Sequence, residues 1–147
     1  MSNGFAAINN LIGVYAERID SGDFVGVGQL FAHATMSTDM GTSMTGADEI
    51  QGMYEQWTRR YPDNGTPHTK HLMTNLIIDV DEDAGTGSCR TYYTVLQSTP
   101  ELPLQPIITG TYRDTFERVD GLWRFASRYM TTDYVGDLSQ HLLQELG

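Results

Sequence analysis

The stretch His68-Thr69-Lys70-His71-Leu72-Met73-Thr74-Asn75-Leu76-Ile77-Ile78 decides how the chain is read. β-Branched and apolar residues dominate it, and neither glycine nor proline interrupts it, which predicts a strand running on to about Val80. Alternate side chains of a strand share a face. That rule puts Leu72, Leu76, Ile78 and Val80 on one side and His71, Met73, Asn75 and Ile77 on the other. The second set mixes apolar side chains with an imidazole and a carboxamide that need partners once removed from water. The wall of a ligand cavity presents such a face. A hydrogen-bonded core or rim histidine fits it equally well, so the strand alone leaves both readings of His71 open.

Upstream of this stretch the periodicity is helical. Phe5, Ile8, Leu11, Ile12, Tyr15, Ala16 and Ile19 recur at steps of three and four, predicting an amphipathic helix over 5–19. Asp20 falls beside the apolar stripe at the helix end, where a carboxylate can look inward or can start the turn Asp20-Ser21-Gly22-Asp23. Asp23 suits the N-cap of a short helix, Phe24 to Phe31. A strand over Ala34 to Met40 and a turn at Gly41-Thr42-Ser43 lead to a third helix, Gly46 to Tyr61. Its apolar side carries Ile50, Met53, Tyr54 and Trp57. Downstream the pattern is one of long strands: Thr86 to Thr99, Ile107 to Val119 and Leu122 to Thr132. Prolines 100, 103 and 106 break the first two apart, and Asp120-Gly121 signals a hairpin. Asp137 is placed to cap a last helix, Leu138 to Leu146, covering an opening. Helices followed by a meander of long antiparallel strands predict an α+β fold, read as one domain over 1–147. A strongly bent sheet wrapped on a long helix makes a cone with an internal pocket.

The totals exclude several classes. A formal net charge of −10 repels phosphate backbones, so nucleic acid is not an expected partner. No apolar run approaches the length of a membrane helix, and the amino terminus shows no basic patch ahead of an apolar core. No membrane partner and a cytoplasmic location are therefore expected. The single cysteine, Cys89, rules out an internal disulfide and a Cys-based zinc site, and its strand context reads as an inert buried thiol. There is no Gly-rich phosphate loop and no HExxH motif. His68 and His71, three apart on a strand, point to opposite faces, so no metal and no cofactor are expected. Asp81-Glu82-Asp83 lacks the spacing of a calcium loop and reads as a solvated hairpin tip.

Three blocks carry a family resemblance. They are Tyr15-Ala16-Glu17-Arg18-Ile19-Asp20-Ser21-Gly22-Asp23-Phe24, His71-Leu72-Met73-Thr74-Asn75, and the run from Gly110-Thr111-Tyr112-Arg113-Asp114 to Leu122-Trp123-Arg124-Phe125. With them, the chain resembles a SnoaL-like member of the nuclear transport factor 2-like superfamily, nearest to the scytalone dehydratase and hexachlorocyclohexane dehydrochlorinase groups. The resemblance implies a cone-shaped curved antiparallel sheet around N-terminal helices, and a base dyad of Asp20 and His71. It also places Arg128 where the dehydrochlorinase has an arginine; a salt bridge to Asp114 is the alternative for that side chain. The chain departs from both groups. Tyr15 stands where the dehydrochlorinase has a lysine, and Tyr92 and Tyr93 stand where scytalone dehydratase has a second histidine.

The expected activity is that of a cofactor-independent lyase, dehydratase-like, or isomerase acting on a small hydrophobic cyclic molecule. His71 is the expected base and Asp20 its orienting partner, since a carboxylate on one ring nitrogen supports protonation of the other. Tyr92, Tyr112 or Tyr15 is expected to polarise an oxygen, and Arg128 to assist charge. Tyr15, Tyr54, Met73, Asn75 and Tyr112 are the expected substrate contacts. Two alternatives stay open. One is a non-catalytic ligand-binding or assembly subunit like the small subunit of ring-hydroxylating dioxygenases. The other is a polyketide cyclase or epoxide hydrolase, for which Asn75 and Asp114 are the only candidate water-activating groups. A homodimer or homotrimer, formed through an outer sheet face carrying Leu72, Leu76 and Ile78, is also expected.

Overall fold

Apolar residues spaced at three and four make the first helix and decide what it packs on. The structure, a computed structural model, describes residues 3–146; Met1 and Ser2, which begin the stretch inspected for a leader, and Gly147 lie outside the described residues. α1 (Gly4–Asp20) buries Ile8, Ile12, Tyr15 and Ile19, and the Asn3 side chain caps it by accepting the Ala6 amide. It stops where Gly22 takes a left-handed φ of +77°. A side chain there would be strained, and its Cβ would stand 2.3 Å from the Gly65 carbonyl oxygen. Asp23 caps α2 (Phe24–Leu30) by accepting the Gly26 amide at 2.9 Å. β1 (Thr35–Thr38) pairs with β2 (Ser43–Thr45), so the expected turn at Gly41–Ser43 passes directly into a strand, and α3 (Gly46–Trp57) follows.

The remaining strands are β3 (Thr69–Met73), β4 (Ile77–Asp81), β5 (Thr86–Thr99), β6 (Leu102–Val119) and β7 (Leu122–Val135). They form one curved seven-stranded sheet in the order β2-β1-β7-β6-β5-β3, with β4 also on β5. The sheet is mixed: β1 runs parallel to β7, whereas the expectation was an antiparallel meander. α1 lies against β3, β4, β5 and β7. Asp120 and Gly121, at φ 52° and 78°, make the tight turn that their sequence announces. Together the helices and the bent sheet give the α+β cone.

Two extra residues decide which side chains face inward. Met73 pairs with Tyr93 and Ile77 with Arg90, so between these points the chain carries one residue more than β5. The surplus reverses the alternation. Ile78 and Val80 pack on the core and Ile77 turns outward; of the expected outer set Leu72, Leu76 and Ile78, only Leu72 is exposed. On β7, Phe116 pairs with Phe125 but Thr115 with Ser127, which makes Ala126 the surplus residue. Trp123 and Phe125 face in before it, and Arg128 faces in after it. Strict alternation would have put Phe125 and Arg128 on opposite faces.

Two boundaries differ from expectation. β6 begins at Leu102 and runs through Pro103 and Pro106. Before Ile108 it has no partner on its β7 side, and an open edge tolerates a missing N–H. Residues 138–146, expected to be a helix, instead form a strap of turns joined to Thr58 by one bridge at Leu142. Its backbone groups are taken by tertiary partners: the Arg59 amide donates to the His141 carbonyl at 2.9 Å, and the Leu143 amide donates to the Trp57 carbonyl at 2.9 Å. Gln97 Nε2 donates to the Gln140 carbonyl at 3.0 Å. Asp137 caps a turn here, accepting the Ser139 amide.

Inside the cone, Arg128 Nε and Nη2 donate to the two oxygens of Asp114 at 2.8 and 2.9 Å, with both side chains 0% exposed. The guanidinium carbon lies 3.8 Å from the Tyr112 ring centre and 4.2 Å from that of Tyr15. Burial opposes charge on both members of the pair, but the bidentate contact holds Arg128 protonated above the ordinary guanidinium range. Removing one partner strands the other charge. Asp114→Ala should therefore destabilise the fold by about 3–5 kcal/mol in urea unfolding; a loss under about 1 kcal/mol would show that the pair contributes no more than a surface contact.

Candidate active site

Asp20 ends α1, an unfavourable place for a negative charge because the helix dipole is negative there. Three donors from β3 offset this. Thr69 Oγ1 donates to Oδ1 at 2.8 Å, the His71 amide donates to Oδ2 at 2.8 Å, and His71 Nδ1 lies 2.7 Å from Oδ1. Ionised, a carboxylate only accepts, so Nδ1 carries the proton and Nε2 presents its lone pair. Asp20 and His71 side chains are 10% and 7% exposed. The arrangement can do two things at once: it pins the helix end to the strand, and it sets the tautomer of a base.

A cluster of phenols lies above the dyad. Tyr15, whose ring meets the His71 ring edge-on at 6.0 Å, shares hydrogen bonds with the hydroxyls of Tyr54 (2.8 Å) and Tyr112 (3.3 Å). Tyr93 stacks on Tyr112 at 4.3 Å and donates to the Thr131 carbonyl. Gly110 makes that possible, since a Cβ there would fall 2.8 Å from the Tyr93 ring. Burial raises the pKa of Tyr15, Tyr54 and Tyr112, so all three stay neutral and keep a proton to donate. Burial also pushes the Cys89 thiol up to about 11, which leaves it unreactive.

The structure therefore brings Asp20, His71, Tyr15, Tyr54 and Tyr112 together, with Arg128 behind the tyrosines and Met73 packed at the core's edge. It does not bring Tyr92 or Asn75. Tyr92 is 58% exposed on the outer sheet face, because in β5 the inward set is Cys89, Thr91, Tyr93, Val95 and Gln97. Asn75 lies in the bulge, exposed, with its Oδ1 accepting the Tyr92 amide. Asp114 is consumed by Arg128, so neither it nor Asn75 is set to activate water. The internal pocket expected from sequence is occupied: Tyr15, Tyr112 and Arg128, each at most 1% exposed, fill the axis of the cone. Two concavities, of about 430 and 600 Å³, open on the outer face around Tyr92 and Asp133 and touch neither member of the dyad. No group of three or more potential metal ligands occurs among the described residues. Also among the described residues, no helix is long and apolar enough to cross a membrane.

The SnoaL-like domain profile matches residues 5–129. The chain belongs to the SnoaL-like domain family. Solved structures agree on a nuclear transport factor 2-like, cystatin-like fold. The chain is similar to a Novosphingobium aromaticivorans protein described as a candidate scytalone dehydratase, at 25% identity and TM-score 0.70, covering 90% of this chain and 86% of that one. It is similar to LinA at 19% identity and TM-score 0.70, covering 92% and 89%. It is also similar to a Mycobacterium tuberculosis protein of unknown function, Rv3472, at 22% identity and TM-score 0.72, covering 89% and 72%. Among curated protein sequences none matches the chain.

Sequence reasoning missed His141. It is 9% exposed, and its Nδ1 has no partner among the described residues. Burial, reinforced by His71 and opposed by Asp20, depresses its pKa from 6.5 to about 4. The missing signal was its location in the residues assigned to a terminal helix, whose packing only the tertiary fold reveals.

Two outcomes follow. Asp20→Ala removes three hydrogen bonds to a charged acceptor and should cost about 2–4 kcal/mol in urea unfolding; an unchanged midpoint would contradict the clasp. His141 resists protonation in the native state, so its contribution is full above pH 6.5 and is lost as pH falls from 6.5 towards 4. The loss amounts to about 3 kcal/mol. The stability of His141→Phe should be flatter than the native protein across that window, and parallel curves would contradict the assignment.

Proposed function

We propose that the chain is a cofactor-independent lyase of the dehydratase type, or an isomerase, acting on a small, largely apolar cyclic molecule. The supporting observation is the 2.7 Å contact between His71 Nδ1 and Asp20, which leaves Nε2 as a base. In this reading Nε2 takes a proton from a carbon next to the one bearing a hydroxyl. The C–H electron pair becomes the double bond, and the C–O bond breaks. The proton held as imidazolium returns to the departing oxygen, which leaves as water. Asp20 stabilises the imidazolium while it lasts. Neutral Tyr15, Tyr54 and Tyr112 donate to an oxygen of the substrate, and the charge of Arg128 favours negative charge developing beside them. With the His71 side chain 7% exposed, substrate enters when the side chains that cover it shift. The likeness to a protein described as a candidate scytalone dehydratase supports elimination of water over other chemistry on this fold.

A second reading is favoured by the outer face, where Tyr92, Tyr129 and Tyr134 are 58%, 40% and 77% exposed. This patch suits assembly, either of copies of the chain into a dimer or trimer or as a subunit beside a larger enzyme.

The test is elimination from a cyclic β-hydroxyketone, followed by the ultraviolet absorbance of the enone. His71→Ala should lower the rate by about 10³-fold, while the variant still folds cooperatively, about 1–3 kcal/mol less stable for the lost bond to Asp20. Retained turnover would remove the base assignment and leave the assembly reading.

A further inference from the structure

The dyad leaves one buried titratable group beside it unused. His141 is anchored through its main chain: its amide donates to the Leu138 carbonyl at 3.0 Å, and its carbonyl accepts the Arg59 amide at 2.9 Å. The flanking residues are held as firmly. The Gln140 carbonyl accepts from Tyr61 Oη and Gln97 Nε2, and the Leu142 carbonyl accepts from Arg59 Nη2 at 3.3 Å. The position of the imidazole is thus fixed by its neighbours, and its own Nδ1 is left buried without a partner among the described residues. An unpaired buried nitrogen is costly unless something else completes it.

We propose that His141 is the second imidazole of this site, and that its free ring nitrogen pairs with a hydroxyl or carbonyl oxygen of the bound molecule. The proposal rests on reading Asp20 and His71 as the base. Geometry places it there: Thr69, which donates to Asp20, pairs across the sheet with Gln97, and Gln97 Nε2 donates to the carbonyl of Gln140, the residue before His141. His71 from β3 and Asp20 from α1 are the titratable groups that act on it, and Arg59 from the exit of α3 holds the strap. His141 stays neutral above about pH 4. A neutral imidazole has one donor and one acceptor nitrogen, and a hydroxyl complements either tautomer because it both donates and accepts. A carbon-bound halogen donates nothing and accepts poorly. The inferred substrate class therefore carries a hydroxyl or carbonyl oxygen at the end that meets His141.

Phenol and chlorobenzene, which differ in a single hydroxyl-for-chlorine exchange, are the probes, and their dissociation constants are read from histidine ring shifts by NMR. The native protein should favour phenol about tenfold or more, and His141→Phe should lower that ratio about tenfold. His141→Gln, which keeps a donor and an acceptor, should retain most of the preference. His71→Ala should retain it too, since it removes the base and not the oxygen contact. An unchanged ratio in His141→Phe overturns the proposal. Equal loss in the Phe and Gln variants overturns it as well, because that pattern reports packing of the strap. Failure of the native protein to bind either probe also overturns it. Turnover that survives His71→Ala while His141→Phe still alters the ratio sinks the base reading alone.

Discussion

A carboxylate at the end of a helix, met by three donors from one strand, is the contact on which the rest of this structure depends. Asp20 would repel the α1 terminus if left alone, and β3 supplies the hydrogen bonds that make it welcome. The contact ties the end of α1 to β3. It also fixes the ring of His71, because the amide and Nδ1 of the same residue both donate to the same carboxylate. Structural tie and chemical tuning are one set of bonds, and for that reason burial of the pair does not by itself separate a scaffold from a catalyst.

Behind the dyad the cone holds a polar interior of an unusual kind. A fully buried ion pair, Arg128 with Asp114, is roofed by Tyr15 and Tyr112, whose faces meet the guanidinium and whose hydroxyls bond to each other. Replacing such a pair with apolar side chains often leaves stability unchanged or improved, so stability alone gives little reason to keep it. What the pair does provide is a fixed positive charge beneath a layer of neutral phenols, on the far side of Tyr15 from His71. Donors backed by a buried cation favour negative charge on an oxygen placed against them.

The carboxyl-terminal strap is held by the rest of the fold. Amides and carbonyls of residues 140–143 bond to the exit of α3 and to Gln97 on β5, so the carboxyl-terminal segment is held by tertiary hydrogen bonds and not by a helix of its own. Segments of that kind open locally at less cost than a packed helix or central strand. The same segment carries His141, 9% exposed.

Apart from residues 138–146, read as a helix, the sequence by itself determined the helices and the long strands, the β5 boundaries, the Asp120-Gly121 turn and the pairing of Asp20 with His71. Local periodicity and turn chemistry govern most of these, and the family resemblance carried the last. Only the tertiary structure decided which residues line the cone. One surplus residue after Met73 and another at Ala126 reverse the alternation, which turns Ile78 and Arg128 inward and removes the reason to count Ile78 on an outer surface. Tyr92 and Tyr93 are neighbours of the same type, and only the sheet's curvature says that Tyr93 belongs to the core and Tyr92 to the outside. The strap and His141 were illegible for a related reason: their conformation is set by partners more than forty residues away, Arg59 and Gln97 among them, and no local pattern encodes such bonds.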